Sequence, residues 1–206
     1  MANDNFPRGL VPINPSKPAV HYYRIGTAND VFLGDIVDLS STGFVTNAID
    51  VTTAGIVQAL GVVVGFAGPL RKGLASNDPF LDASDLTTLG EGLDAGDRWV
   101  SVADDPNQEF IVQADTGGTL ATLSAVGESA ALIYRATSGN TTSGWANLEL
   151  DASSNAASTG QILRIVGLHD VVNVDGTENT AGANYAKWRV IINTHRKNQS
   201  NLTAVV

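Results

Sequence analysis

The stretch "RWVSVADDPNQEFIVQAD", residues 98–115, decides how the chain is read. Either the acidic pair at its centre, Asp104 and Asp105, belongs to a catalytic or metal site, or it marks the corner between two strands. Pro106 fixes φ, and Asp and Asn side chains bond their own backbone, so Asp104 and Asp105 followed by Pro106 and Asn107 form a strong turn signal. After the turn, Phe110, Val112 and Ala114 fall on one face of an extended chain, and Glu109, Ile111 and Gln113 on the other. Strand, turn and strand predict a hairpin, with residues 104–107 as its turn and Phe110 and Val112 in the core. A glycosidase would need two carboxylates several ångströms apart across a cleft, for instance Asp104 or Asp105 with Glu109. Adjacent acids in a Pro-Asn turn are common without catalysis, and the corner is the better reading.

The same alternation recurs outward from this stretch. In "KWRVIINTH" (residues 187–195), Trp188, Val190, Ile192 and Thr194 oppose Lys187, Arg189, Asn193 and His195. Further strands are expected at "VHYYRI" (20–25), "GDIVDL" (34–39), "IVQALGVVVGF" (56–66), "ALIYRA" (131–136), "WANLEL" (145–150) and "QILRIVGL" (161–168). Only residues 120–127 offer a helical turn. Many short strands between Gly, Asn, Asp, Ser and Pro clusters predict an all-β chain, a compact antiparallel sandwich or barrel. An extended, Pro-rich N-terminal arm (1–18) precedes a β-rich body (19–196) and a C-terminal tail (197–206). The low-complexity "DASSNAASTG" (151–160) reads as a boundary or a long surface hairpin loop.

At 206 residues the chain can bury a sizeable core, and it has no cysteine, which excludes disulfides, thiolate zinc sites and cysteine nucleophiles. No apolar run reaches the roughly 18–20 residues of a membrane-spanning helix, and the N-terminus lacks a secretory pattern, so a soluble protein made in the cytoplasm, with no membrane partner, is expected. The net charge of −9 opposes direct nucleic-acid binding, which draws most of its affinity from neutralised phosphates. The charge is uneven: residues 78–115 are almost wholly acidic apart from Arg98, whereas "KWRVIINTHRK" is basic.

Other chemistry fails on spacing. "DAGDRW" and "VDGTEN" do not match a calcium-binding helix–loop–helix. His21, His169 and His195 form no closely spaced ligand pair and read as ordinary surface or strand histidines. "GESAA" lacks the second glycine of a nucleophile elbow, and "GFAGPLRKG" lacks phosphate-loop spacing. The expectation is a protein that is not an enzyme and needs no cofactor or metal.

The arm points to partners. Pro7, Pro12, Pro15 and Pro18 keep it extended, and Phe6, Leu10, Val11 and Ile13 would be exposed unless they dock on a neighbouring subunit. Lys187, Arg189, Arg196 and Lys197 are the candidates for contact with an acidic surface, such as the loops between residues 78 and 97.

In order, "MANDNFPRGLVPIN", "YYRIGTANDVFLGDIVDL", "GVVVGF", "RWVSVADDPNQEFIVQAD", "SGWANLELDASS", "QILRIVGLHD" and "GANYAKWRVIINTH" resemble a family of small virion proteins of tailed bacteriophages, the capsid decoration or cement proteins. The resemblance spans most of the chain and rests on strand-and-turn patterns. It implies a β body without an active site, seated as an oligomer on the outer surface of a phage head, where it bridges major capsid protein subunits. A homotrimer is favoured, with a dimer as the alternative. On this reading the arm lies in a groove of the capsid or a sister subunit, and deleting residues 2–17 should abolish attachment while leaving the body folded. The competing functions are a carbohydrate- or receptor-binding β module, with Trp99, Trp145 or Trp188 stacking on sugars, and a tail or baseplate component.

Overall fold

A computed structural model describes residues 5–14, 19–25, 30–41, 43–47, 58–66, 79–82, 99–116, 123–154, 161–172 and 176–198. Its strands are β1 (Val11–Pro12), β2 (Val20–Arg24), β3 (Ile36–Leu39), β4 (Val45–Thr46), β5 (Gly61–Gly65), β6 (Trp99–Ala103), β7 (Phe110–Gln113), β8 (Ser129–Ala130), β9 (Leu132–Gly139), β10 (Ala146–Leu150), β11 (Leu163–Leu168) and β12 (Lys187–Ile192). They form two five-stranded sheets, ordered β1-β7-β12-β11-β8 and β2-β6-β5-β3-β4, and a β9-β10 ribbon. Neighbours within each pair antiparallel, and the sheets stay open, so the architecture is sandwich-like and not a closed barrel. Residues 123–125 form a 3-10 turn where the sequence offered its one helical signal.

The expected hairpin over residues 98–115 does not form. β6 pairs with β2 and β5, whereas β7 pairs with β1 and β12, so the stretch carries the chain from one sheet to the other. The turn chemistry itself is as read: the Asn107 amide donates to Asp105 Oδ1 at 2.8 Å and the Gln108 amide to the Asp105 carbonyl at 3.0 Å. An Asx turn reverses the chain, but it does not oblige the flanking strands to pair. What differs is Asp104, which turns inward and is fully buried. A hairpin does occur at "NTTSG", where the Asn140 side chain accepts from the amides of Thr142 and Ser143 and β9 returns as β10. The strands that flank residues 151–160 do not pair with each other, since β10 pairs with β9 while β11 pairs with β8 and β12; residues 155–160 themselves lie outside the described residues.

The strand faces follow the period-two pattern. Phe110, Val112, Trp188, Val190 and Ile192 enter the main core with Leu148, Leu150, Leu163 and Ile165. At β3 and β5 the second sheet is buried on both faces: Ile36 and Val62 point into that core, and their neighbours Val37 and Val63 into a second cluster with Ile25, Val31, Leu81, Val100 and Val102. Burial on both faces explains why "GVVVG" reads as an apolar run and not as an alternation.

Two findings alter the partner expectations. Leu10 is fully buried in the main core and is not available to a capsid or sister-subunit groove. Losing the arm would open that core, so truncation of residues 2–17 should destabilise the body instead of sparing it. Arg196 and Lys197 are turned toward the chain itself. The Arg196 guanidinium makes a two-pronged contact with Asp38 of β3 at 2.6 and 2.5 Å, and Lys197 Nζ donates to Asp104 at 2.6 Å. With the Arg196 amide bonded to the Ala59 carbonyl at 2.8 Å, these contacts tie the segment after β12 to the other sheet. A buried carboxylate recruits the nearest cations.

Candidate functional site

The described arm, residues 5–14, lies along the edge of the first sheet. Val11 and Pro12 pair with Ile111 and Phe110, and the Ile13 amide donates to the Glu109 carbonyl at 2.9 Å. The arm gets there by crossing the chain ahead of β3 at two glycines in the left-handed region, Gly9 (φ 62°) and Gly34 (φ 87°). At the crossing the Leu10 amide donates to the Gly34 carbonyl at 3.0 Å. A Cβ on Gly34 would sit 2.2 Å from the Arg8 carbonyl oxygen, and one on Gly9 would sit 2.4 Å from that of Gly34. Further out, the Phe6 amide donates to Gln113 Oε1 at 2.8 Å, and the Gln113 amide donates to buried Glu149 at 2.7 Å. Burying Gln113 is affordable because its donor and acceptor atoms are both used.

This docking builds an open groove of about 590 Å³. Its floor is the outer face of the first sheet, with Val11, Ile111, Gln113 and Lys187; one wall is the arm, with Phe6, Arg8 and Gly9; the other carries His169 and Val171. Asn179 holds that second wall, donating to the carbonyls of His169 and Lys187, both at 2.8 Å, and accepting the Lys187 amide at 3.0 Å. Phe6 is half exposed, and the Arg8 guanidinium lies 4.7 Å from its ring centroid and 5.8 Å from that of Trp145. Burial lowers the His169 pKa, and the charges of Arg189 and Lys187 depress it further, against the opposing pull of Asp170. The chain carries 21 acidic residues against 12 Lys and Arg, and among the described residues no carboxylate lines this groove.

Of the residues expected to meet a partner, Phe6, Val11 and Lys187 line the groove. Arg189 shares their sheet face, with its Nη1 3.4 Å from Glu109. Ile13 is half-buried and lies outside the groove, with its carbonyl accepting from Gln108. Leu10 belongs to the core, and Arg196 and Lys197 to internal ion pairs. The acidic loops proposed as their counterpart fall largely outside the described residues. Sequence reading missed Arg8, Gln113, His169 and Val171 as groove residues. Ile111 did carry a signal: an apolar side chain on the solvent side of an alternating strand needs cover.

The other candidates have structural employment. Asp104 accepts from His21 at 2.7 Å, from Lys197 and from the Tyr23 hydroxyl. Burial alone would raise its pKa, but hydrogen bonds from Lys197, Tyr23 and His21 prevail and hold it below the usual carboxylate range. Glu109 faces Arg189. Of the surface or strand role expected for His195, the surface alternative fails: it is fully buried just after β12, where it forms a β-bridge with Ala59. Its Nδ1 accepts from the Lys197 amide at 3.1 Å, and burial lowers its pKa. Trp188 lies in the core, whereas Trp99 and Trp145 are half-buried beneath Arg24 and Arg8. Among the described residues no group of three or more His, Asp or Glu is placed to hold a metal ion, and no helix is long and apolar enough to cross a membrane.

The Asp104 cluster makes a direct prediction. Lys197→Met should cost about 2 kcal/mol at neutral pH, because a hydrogen bond to a buried charge is lost while the exposed lysine end limits the effect. Asp104 has a depressed pKa in the fold, so its contribution is present above the unfolded carboxylate pKa and lost as pH falls through the folded one. Urea unfolding of both proteins should show the gap narrowing toward about pH 3; a gap that widens in acid would rule the ion pair out as its source.

Compared with known proteins, the chain matches no protein-family model, no curated protein and no solved structure.

Proposed function

We propose that the chain is a structural virion protein, a capsid decoration or cement protein that binds the outside of a tailed-phage head as an oligomer, with a trimer favoured, and stabilises the lattice of the major capsid protein. The observation that carries this reading is a meeting of two segments. The Pro-rich start and the "AKWRVIINTH" strand, which bear much of the resemblance, lie at opposite ends of the sequence, yet β1 and β12 flank β7 in one sheet and supply Val11 and Lys187 to one groove.

A cement protein needs several modest contacts per oligomer, because linking them raises avidity by orders of magnitude. Binding the assembled shell and not free subunits stabilises the shell by mass action. The test is sedimentation of the purified protein with mature heads stripped of it. Saturation at a fixed ratio to the capsid subunits, near the number of two- or three-fold positions, is the expected result, and absence of binding would overturn the reading.

A further inference from the structure

We propose that residues 31–36 form a clasp operated by the carboxyl group of Asp35, which holds the N-terminal arm and the β9–β10 hairpin to the body in acid and slackens toward neutral pH. The geometry is that of a hub. The Gly34 carbonyl takes the Leu10 amide of the arm at 3.0 Å, and Leu33 bonds the hairpin in both directions, donating to the Gly144 carbonyl at 2.9 Å and accepting the Ala146 amide at 2.8 Å. The Gly34 amide and the Asp35 carbonyl both bond Val63 of β5, at 2.9 and 2.8 Å, and Val31 exchanges two bonds of 2.9 Å with Leu81. One short segment therefore joins the arm, the hairpin, β5 and the chain at Leu81.

Asp35 is fully buried within this segment, where its carboxyl group accepts the Phe32 amide at 2.8 Å and lies 3.5 Å from the Tyr134 hydroxyl. A neutral carboxylic acid suits that setting, because it accepts from Phe32 and turns its own proton to the Tyr134 oxygen. A carboxylate, with up to about four acceptor sites, finds one good donor and one long one. Among the described residues no cation acts on it. β9 faces it with Tyr134, whose hydroxyl burial keeps neutral. β5 and β10 bring Val62, Ala146 and Leu148 to the core beside Phe32 and Ile36, and Phe80 stacks on Phe32. Arg8 of the arm is turned to the rings of Phe6 and Trp145. Burial accordingly raises the Asp35 pKa to about 7, against the smaller pull of its two hydrogen bonds. Ionised Asp35 gains water when the turn swings out, and the bonds made by Leu33 and Gly34 in the same turn break with it. The open form has the ordinary carboxylate pKa, so opening should become about tenfold easier per pH unit between about pH 4 and 7 and then level off.

The experiment is amide hydrogen exchange by NMR on the isolated full-length protein, so its outcome is independent of attachment to heads. Rates are taken at about pH 4.5 and 7.5 and divided by the intrinsic rate at each pH. Protection of the Leu10, Leu33, Gly34 and Ala146 amides should be at least about 50-fold lower at the higher pH. These four should also share a shallower urea dependence than the Ala114 and Asn193 amides of the first sheet, which are bonded to Ala186 and Ile162. In Asp35→Asn the protection of the four should change less than about threefold over the same range. The carboxyl carbon-13 shift of Asp35 in the parent is the second readout and needs no variant to fold; its midpoint should lie near 7. Protection that does not fall with pH, an equal fall in Asp35→Asn, a midpoint in the ordinary carboxylate range, or a urea dependence matching that of the first sheet would overturn the clasp.

Discussion

Gly34→Ala is expected to destabilise the protein by about 3–5 kcal/mol, from left-handed strain of roughly 1–2 kcal/mol and backbone overlap worth at least as much again. The added methyl would sit 2.2 Å from the Arg8 carbonyl oxygen, a backbone atom with no rotamer to escape into. The chain can relieve the overlap only by lifting the arm, which takes Leu10 out of the core and breaks the Leu10 to Gly34 hydrogen bond. Two measurements separate these effects. Urea unfolding reads the total cost, and hydrogen exchange at the Leu10 and Ile13 amides reads whether the arm has left. Gly43→Ala is the control: its φ is also positive, at 82°, but a Cβ there meets nothing within 4 Å, so only the strain of about 1–2 kcal/mol should appear. Equal losses in the two variants would show that the crossing contributes nothing beyond backbone strain.

Asp35→Asn should stabilise the protein above neutral pH by about 4 kcal/mol at most and should have little effect in acid. Asp35 is fully buried at the same crossing, where its carboxylate accepts the Phe32 amide at 2.8 Å and a long 3.5 Å contact from the Tyr134 hydroxyl. Burial raises its pKa from 3.8 to about 7, against the lowering effect of those two hydrogen bonds. A group whose folded pKa is raised contributes stability that is fully present below its unfolded pKa and lost as pH rises through the folded value. Between about pH 4 and 7, the native state therefore holds a proton that the unfolded chain has released, and roughly three units at 1.36 kcal/mol each set the upper limit. The neutral amide keeps an acceptor for Phe32 and removes the ionisation. The stability difference between variant and parent, followed by urea unfolding from about pH 4 to 9, should grow through this window and then level off. A difference that stays flat would mean that Asp35 reaches water or a cation when ionised.

The strand faces were legible in the sequence because they depend on a local rule. Residues two apart point the same way, so Phe110 with Val112, and Trp188 with Val190 and Ile192, had to be buried together. The turn at Asp105, Pro106 and Asn107 was legible for the same reason, since an Asx turn is made by side chains bonding their own backbone. The all-β class followed from many such segments, and the groove was foreshadowed at Phe6, Val11, Ile111 and Lys187 by apolar or basic groups on solvent-facing positions.

Pairing is not local, and only the tertiary structure decided it. The same turn could have closed a hairpin, but β6 and β7 found their partners in different sheets, and burial of Asp104 at the corner became tolerable once His21, Tyr23 and Lys197 converged on it from distant positions. Leu10 and Val11 are adjacent and similarly apolar, yet one fills the core and the other lines the groove, because the crossing at Gly9 and Gly34 sets which face of the arm turns inward. Lys197 turned inward because a buried carboxylate, Asp104, stands beside it, and desolvating that charge required a cation from the same chain.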